Sequence, residues 1–201
     1  MQINTKFTIS NFFIILSTIF LVIKWYYPNI IYYLWMHSGY YETWKYIMLP
    51  FQFIFSNFLH WNIMHLLFNS IFIFIFWNQV EEYIWKTKYI LFFLFSSFFI
   101  WILFLIFSNP VTFLWYTFDK ISWITIWISG FAMGLLSFYT LVLYFKWIDE
   151  YKWWIMAIFL NIIIGLNSNI SFSGHLFWAI SGIIFYFIIK NTIKRENLLK
   201  L

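Results

Sequence analysis

The sequence predicts an all-α membrane protein in which six transmembrane helices form one bundle. Two observations support this prediction: hydrophobic residues make up 64% of the 201 positions, and charged residues make up only 9%. A soluble domain of this size cannot bury so many Phe, Trp and Ile side chains, whereas a bundle surrounded by lipid can leave them exposed. The sequence also contains no cysteine, which excludes disulfides and thiolate metal sites.

Apolar stretches long enough to cross about 30 Å of hydrocarbon follow one another along the chain. They end at polar residues or helix breakers, such as Pro28 after the first stretch and Asn78-Gln79 after the second. No small-residue cleavage site follows the first stretch, so we interpret it as a retained helix and treat 1–201 as one transmembrane domain. The predicted spans are about 8–27, 59–77, 89–107, 127–145, 153–166 and 173–189.

The distribution of Lys and Arg predicts the orientation, because cytoplasmic loops carry an excess of these residues. With six spans both termini share one side, and nine basic residues fall on that side against three on the other. Both termini are therefore expected in the cytoplasm, where Glu81 and Glu82 are expected to be solvated. The nine are Lys6, Lys86, Lys88, Lys146, Lys152, Lys190, Lys194, Arg195 and Lys200, and the three are Lys24, Lys45 and Lys120.

Polar residues inside apolar spans indicate function, because each costs free energy in the membrane unless it finds a partner or water. In span two, His65 and Asn69 are four residues apart and therefore lie on one helical face. Ser129 lies near the start of span four and His175 near the start of span six. Since these three spans begin at the outer face, these four residues and His60 are expected at similar depth. One water-filled cavity that opens outward can then reach all of them.

Glycines accompany both Ser129 and His175 at helical spacing. Gly130 and Gly134 follow the serine, and Gly182 lies seven residues after the histidine. Small residues at such spacing let transmembrane helices approach closely. We expect this approach to bring Ser129 and His175 within hydrogen-bonding reach.

These residues form three motifs that resemble the signature of the rhomboid family of intramembrane serine proteases. The likeness covers nearly the whole chain, and its most specific part is the His-x4-His-Leu-x2-Asn element. A lone Ser-Gly or Gly-His pair carries no such information. The motifs, in chain order, are His60-x4-His65-Leu66-x2-Asn69, Ser129-Gly130 and Gly174-His175.

The resemblance implies a serine endopeptidase that uses a catalytic dyad and needs neither a cofactor nor a metal. Ser129 would be the nucleophile, and His175 would be the general base and then the acid that protonates the leaving amine. His65 and Asn69, together with the backbone N–H of Ser129, would stabilise the oxyanion. Structural roles near the site would fall to His60, Gly130, Gly134 and Gly182.

The resemblance also implies the kind of partner. The expected substrates are single-pass transmembrane proteins in the lipid bilayer, cleaved near the outer face where their helices contain Gly or Ala. Nucleic acid is not an expected partner, because the basic residues behind the net charge of +5 form no stripe or arm. The frequent Ile, Asn, Lys and Phe are typical of an AT-rich bacterial genome, so we predict a multi-pass protein of a bacterial plasma membrane.

Departures from the family pattern leave a second interpretation open. Trp127 stands two positions before Ser129, where the family usually has Gly, and Trp178 follows His175 where small residues are usual. Such bulk is expected to crowd the site or to force spans four and six apart. The alternative is a catalytically inactive rhomboid-like protein that binds the transmembrane helices of client proteins. Metal-dependent and aspartyl membrane proteases do not fit, because the sequence has no His-Glu-x2-His element and no acidic residue in a span.

Overall fold

The protein is predominantly helical in the part of the chain that the computed structural model describes. That part comprises 8–30, 34, 49–60, 62–74, 78–106, 111–113, 116–118, 128–167 and 172–193. Short 3₁₀ turns follow two of the helices, at Ser56–Phe58 and Lys190–Thr192. The helices are α1 (Ile9–Tyr26), α2 (Leu49–Phe55), α3 (Ile63–Phe72), α4 (Asn78–Ile84), α5 (Lys86–Ile106), α6 (Ile128–Phe145), α7 (Tyr151–Asn167) and α8 (Phe172–Ile189).

A small hairpin between α5 and α6 departs from the all-α prediction. Its strands β1 (Val111–Phe113) and β2 (Tyr116–Phe118) are antiparallel, with Thr112 opposite Thr117. Three residues are too few to show the alternation of apolar and polar side chains that marks a strand in sequence. The prediction therefore missed this pair.

Three of the described helices are long and apolar enough to cross a membrane on their own. Three further apolar helices are shorter over the residues whose side chains are described. The count of six spans and the cytoplasmic position of both termini stay predictions. The long segments are Ile9–Tyr26, Lys86–Leu103 and Gly174–Thr192, and the shorter ones are Ile63–Phe72, Gly130–Phe145 and Tyr151–Ile163.

In α1, two serines are buried together with Phe13, while several large apolar side chains are exposed. Ser10 and Ser17 are fully buried, while Phe12, Ile15 and Ile19 are 47–48% exposed. The exposed residues are spaced by three and four positions, so they form one apolar stripe along the helix. This arrangement is typical of a helix in lipid, where small polar residues face the bundle and apolar residues face outward. Apolar side chains gain little free energy from burial when they are already surrounded by lipid. The structure thus supports a membrane protein.

Glu81 is not the solvated residue that the sequence predicts. Its side chain is only 3% exposed and reaches from α4 to the first turn of α1. The carboxylate accepts hydrogen bonds from the backbone N–H of Ile9 (2.9 Å) and Ser10 (3.0 Å), and from the Ser10 hydroxyl (3.0 Å). The first N–H groups of a helix have no partner within it, so a buried carboxylate there completes the helix end. Glu82 is exposed, in agreement with the sequence.

The far end of α6 closes in a Schellman motif that places a tryptophan in the left-handed region. Trp147 has a φ of 60°. Its N–H donates to the carbonyl of Tyr144 (3.0 Å), and the N–H of Ile148 donates to that of Leu143 (3.1 Å). Glycine is usual at this position, because any Cβ is strained there.

Because of this strain, we expect Trp147→Gly to be more stable than Trp147→Ala, with a free energy of unfolding about 1 kcal/mol higher. Both variants remove the same indole, which is 89% exposed, so the comparison isolates the backbone. Unfolding in mixed detergent micelles measures the difference. Equal stability of the two variants would show that the left-handed turn carries no strain.

Candidate active site

Three predicted site residues meet at the beginning of α3. The Asn69 amide nitrogen lies 3.3 Å from His60 Nε2, and the ring centroids of His60 and His65 are 5.2 Å apart in an edge-to-face arrangement. His60 is 1% exposed and Asn69 is 9% exposed. The three side chains therefore form a polar cluster that is largely buried in the bundle.

Helix capping explains how these side chains come together. The Asn62 side chain accepts a hydrogen bond from the backbone N–H of His65 at 2.8 Å and caps α3, so the helix begins at Ile63. His60 consequently lies outside the helix. His65 and Asn69, four positions apart, share one face of α3, and the ring of His60 contacts both.

Contacts from a distant helix fix the backbone of His60. Lys24, at the end of α1, donates from Nζ to the carbonyl oxygen of His60 at 3.0 Å. His60 Nδ1 lies 3.2 Å from the carbonyl oxygen of Phe58. Both the main chain and the ring of His60 are thus held before any substrate is present.

Ser129 and His175 lie near the starts of two helices that pack against each other. Ser129 is in the first turn of α6, and its side chain lies outside the described residues. His175 is half-buried in the first turn of α8, and its Nδ1 lies 3.5 Å from the carbonyl oxygen of Asn161 on α7. The two residues of the predicted dyad thus lie in the first turns of α6 and α8.

The glycines define how α6 and α8 are aligned. A Cβ at Gly182 would overlap the carbonyl oxygen of Gly134, and a Cβ at Gly130 would overlap the indole of Trp178. Both contacts join residues 48 positions apart, which requires that the two helices run in the same direction. Continuing this alignment puts Ser129 within two residues of the level of His175, or about 3 Å of helix rise. The contacts of Gly130, Gly134 and Gly182 show that α6 and α8 pack closely at their glycines.

Trp178 does not force the two helices apart. Its side chain is 1% exposed and lies against Gly130, where the missing Cβ leaves room for the indole. The expectation that bulk at this position separates spans four and six is therefore wrong. The reason is that the large side chain of Trp178 on α8 faces a glycine, Gly130, on α6. Trp127, the second bulky departure, lies outside the described residues.

Two contacts of the site were missed in the sequence. The contact between His175 and Asn161 uses the backbone carbonyl of Asn161, which any residue would offer, so no side chain in the sequence signals it. Lys24 was assigned only to the outer loops, and nothing in the sequence links it to His60. Among the described residues, no group of three or more His, Asp or Glu side chains is placed to hold a metal ion.

Comparison with known proteins gives one family. A family model described as Rhomboid domain matches residues 48–192, more than two thirds of the chain. No curated protein matches the sequence. The matched range begins at the edge of α2 and includes every site residue that the sequence predicts.

Proposed function

Because the chain belongs to the rhomboid family, we propose that it is an intramembrane serine endopeptidase. It would cleave the transmembrane helices of membrane-protein substrates near the outer face. The main support is the position of Ser129 and His175 in the first turns of two parallel helices in contact. A serine–histidine dyad requires that the hydroxyl and the imidazole lie at similar depth on neighbouring helices.

The proposed first step is a proton transfer within the dyad. A backbone carbonyl can only accept, so a hydrogen bond between Asn161 and His175 needs the proton on Nδ1 and leaves the lone pair on Nε2. Nε2 then takes the proton of the Ser129 hydroxyl as Oγ bonds to the scissile carbonyl carbon. Collapse of the intermediate breaks the C–N bond, and the same proton passes to the leaving amine. Water, activated by His175 in turn, hydrolyses the acyl-enzyme and restores the serine.

The oxyanion of this intermediate would be stabilised from two sides. The Asn69 amide and the His65 ring would donate from α3, and the backbone N–H of Ser129 would donate from the first turn of α6. The start of α6 also carries the positive end of the helix dipole, which favours a developing negative charge. Since α3 packs against α6, both sets of donors can face one reacting carbonyl.

A substrate must be locally unwound before this chemistry can occur. A transmembrane helix satisfies its own amide groups, so its scissile carbonyl is shielded by an intrahelical hydrogen bond. Gly and other helix-weakening residues lower the cost of unwinding by up to about 1 kcal/mol each. Sequences of this kind near the outer face are therefore the proposed cleavage sites.

One observation favours the second candidate, a catalytically inactive relative that binds transmembrane helices. The buried indole of Trp178 lies against Gly130, the residue that follows Ser129. If the indole also occupied the space of the substrate carbonyl, the fold would remain while hydrolysis would not. This candidate predicts a serine that does not react.

Labelling with a fluorophosphonate probe distinguishes the two candidates. Wild-type protein in detergent is expected to be labelled, and Ser129→Ala or His175→Ala is expected to lower the labelling rate by at least about 1,000-fold. Ser137→Ala, two turns further along α6 and buried at 3% exposure, is the matched control and should be labelled like the wild type. Unlabelled wild type with a cooperative unfolding transition would refute the protease and support the helix-binding relative.

A further inference from the structure

His60 can form only one of its two neutral tautomers in this site. The carbonyl of Phe58, 3.2 Å from Nδ1, can accept but not donate, so the ring proton lies on Nδ1. Nε2 is then a lone pair and accepts from the Asn69 amide nitrogen at 3.3 Å. The same requirement fixes the Asn69 carboxamide, because its NH₂ side must face His60 and its oxygen must point away.

The segment that holds His60 is itself tied to the bundle. Asn57 is 1% exposed, and its amide contacts Ser97 Oγ of α5 (3.2 Å) and two carbonyls in the last turn of α2 (2.7 and 3.1 Å). Asn57 directly precedes Phe58, whose carbonyl holds the ring. Lys24 fixes the main chain of His60 from α1. Contacts from three helices outside α3 therefore fix the segment that orients the His60 ring.

The carboxamide group of asparagine is planar. When one of its two N–H groups is hydrogen-bonded, the direction of the second N–H is therefore fixed. His60 is the partner of the Asn69 amide nitrogen among the described residues, and we assign the second N–H to the substrate. Without His60, the carboxamide could turn by 180° and present its oxygen in the same place. An oxygen facing a developing oxyanion repels it, so the orientation decides whether Asn69 helps or hinders the reaction.

We propose that His60 is a positioning residue that orients the Asn69 amide toward the oxyanion. This role goes beyond the structural one implied by the family resemblance, and it rests on the proposed protease function. His60 does not touch the reacting atoms. Its effect passes through Asn69, and it should disappear when the Asn69 amide is absent.

A double-mutant cycle tests this dependence. The readout is the rate constant of Ser129-dependent labelling by a fluorophosphonate, whose tetrahedral adduct places an oxygen in the oxyanion site. Asn69→Ala is expected to lower this rate by about 100-fold, as for loss of one oxyanion donor. His60→Leu is expected to lower it by about tenfold in the wild type and by less than about twofold in Asn69→Ala. His60→Gln, which can place an acceptor oxygen near the position of Nε2, should recover part of the rate.

The possible outcomes separate the two proposals. Equal losses from His60→Leu in both backgrounds would show that His60 acts independently of Asn69 and would overturn only the positioning role. If His60→Leu fails to fold, His60→Gln and His60→Asn replace it. Gln is expected to be faster than Asn, whose shorter side chain cannot reach Asn69, and equal rates would overturn the role. A wild type without Ser129-dependent labelling would refute the protease function and the positioning role together.

Discussion

Gly182→Ala is expected to lower the free energy of unfolding by about 3 kcal/mol and to slow fluorophosphonate labelling by at least about 100-fold. The new methyl group would overlap the carbonyl oxygen of Gly134, which is backbone and cannot move to another rotamer. The two helices must then separate or shift along each other. Ser129 and His175 lie on these helices beyond the contact, and a displacement of about 1 Å between reacting groups suffices for such a loss of rate.

Two matched variants make this prediction specific. A Cβ at Gly134 would lie 3.1 Å from the carbonyl oxygen of Trp178, a tight contact that a small shift relieves, so Gly134→Ala should cost about 1 kcal/mol. Ile183, next to Gly182, is 40% exposed, and Ile183→Ala should cost less than that. Unfolding in mixed detergent micelles and the labelling rate are measured on all three. If Gly182→Ala is as stable as Ile183→Ala, the glycines do not hold α6 against α8.

The parts of the structure that the sequence predicted depend on local spacing. Asn69 follows His65 by four residues, and Gly134 follows Gly130 by four, so each pair shares a helical face whatever surrounds it. Long apolar stretches likewise predict helices, because only helices satisfy their own backbone groups in lipid. The helical membrane fold and the family follow from such patterns.

The rest depends on which elements meet in space. Trp178 looked disruptive because its partner, Gly130, lies 48 positions away and becomes its neighbour only through the alignment of α6 and α8. The link between Lys24 and the carbonyl of His60 is similarly non-local. The charge pattern predicted that Glu81 and Glu82 are both solvated. The sequence of α4 alone does not show that the start of α1 contacts Glu81 and leaves Glu82 exposed.

Glu81→Ala is expected to lower the free energy of unfolding by about 3 kcal/mol. The substitution leaves the N–H groups of Ile9 and Ser10 without their acceptor, whereas the Ser10 hydroxyl can still donate to the hydroxyl of Tyr89 at 3.0 Å. Hydrogen bonds to a charged group contribute about 1.5–3 kcal/mol each, and buried donors left unpaired add a desolvation cost. Glu81→Gln keeps the shape and one acceptor oxygen, but it turns an NH₂ group toward a donor. It should therefore lose about half as much.

Glu82→Ala is the matched control, because Glu82 is the exposed neighbour on the same short helix and should change stability by less than about 0.5 kcal/mol. Hydrogen exchange locates the effect: the amides of Ile9 and Ser10 should lose protection in Glu81→Ala, while those of α8 change only with global stability. Equal stability of the Glu81 and Glu82 variants would mean that the Glu81 carboxylate does not hold the start of α1 in place. A loss confined to Glu81 would instead show that this one buried carboxylate stabilises the start of α1 against the rest of the bundle.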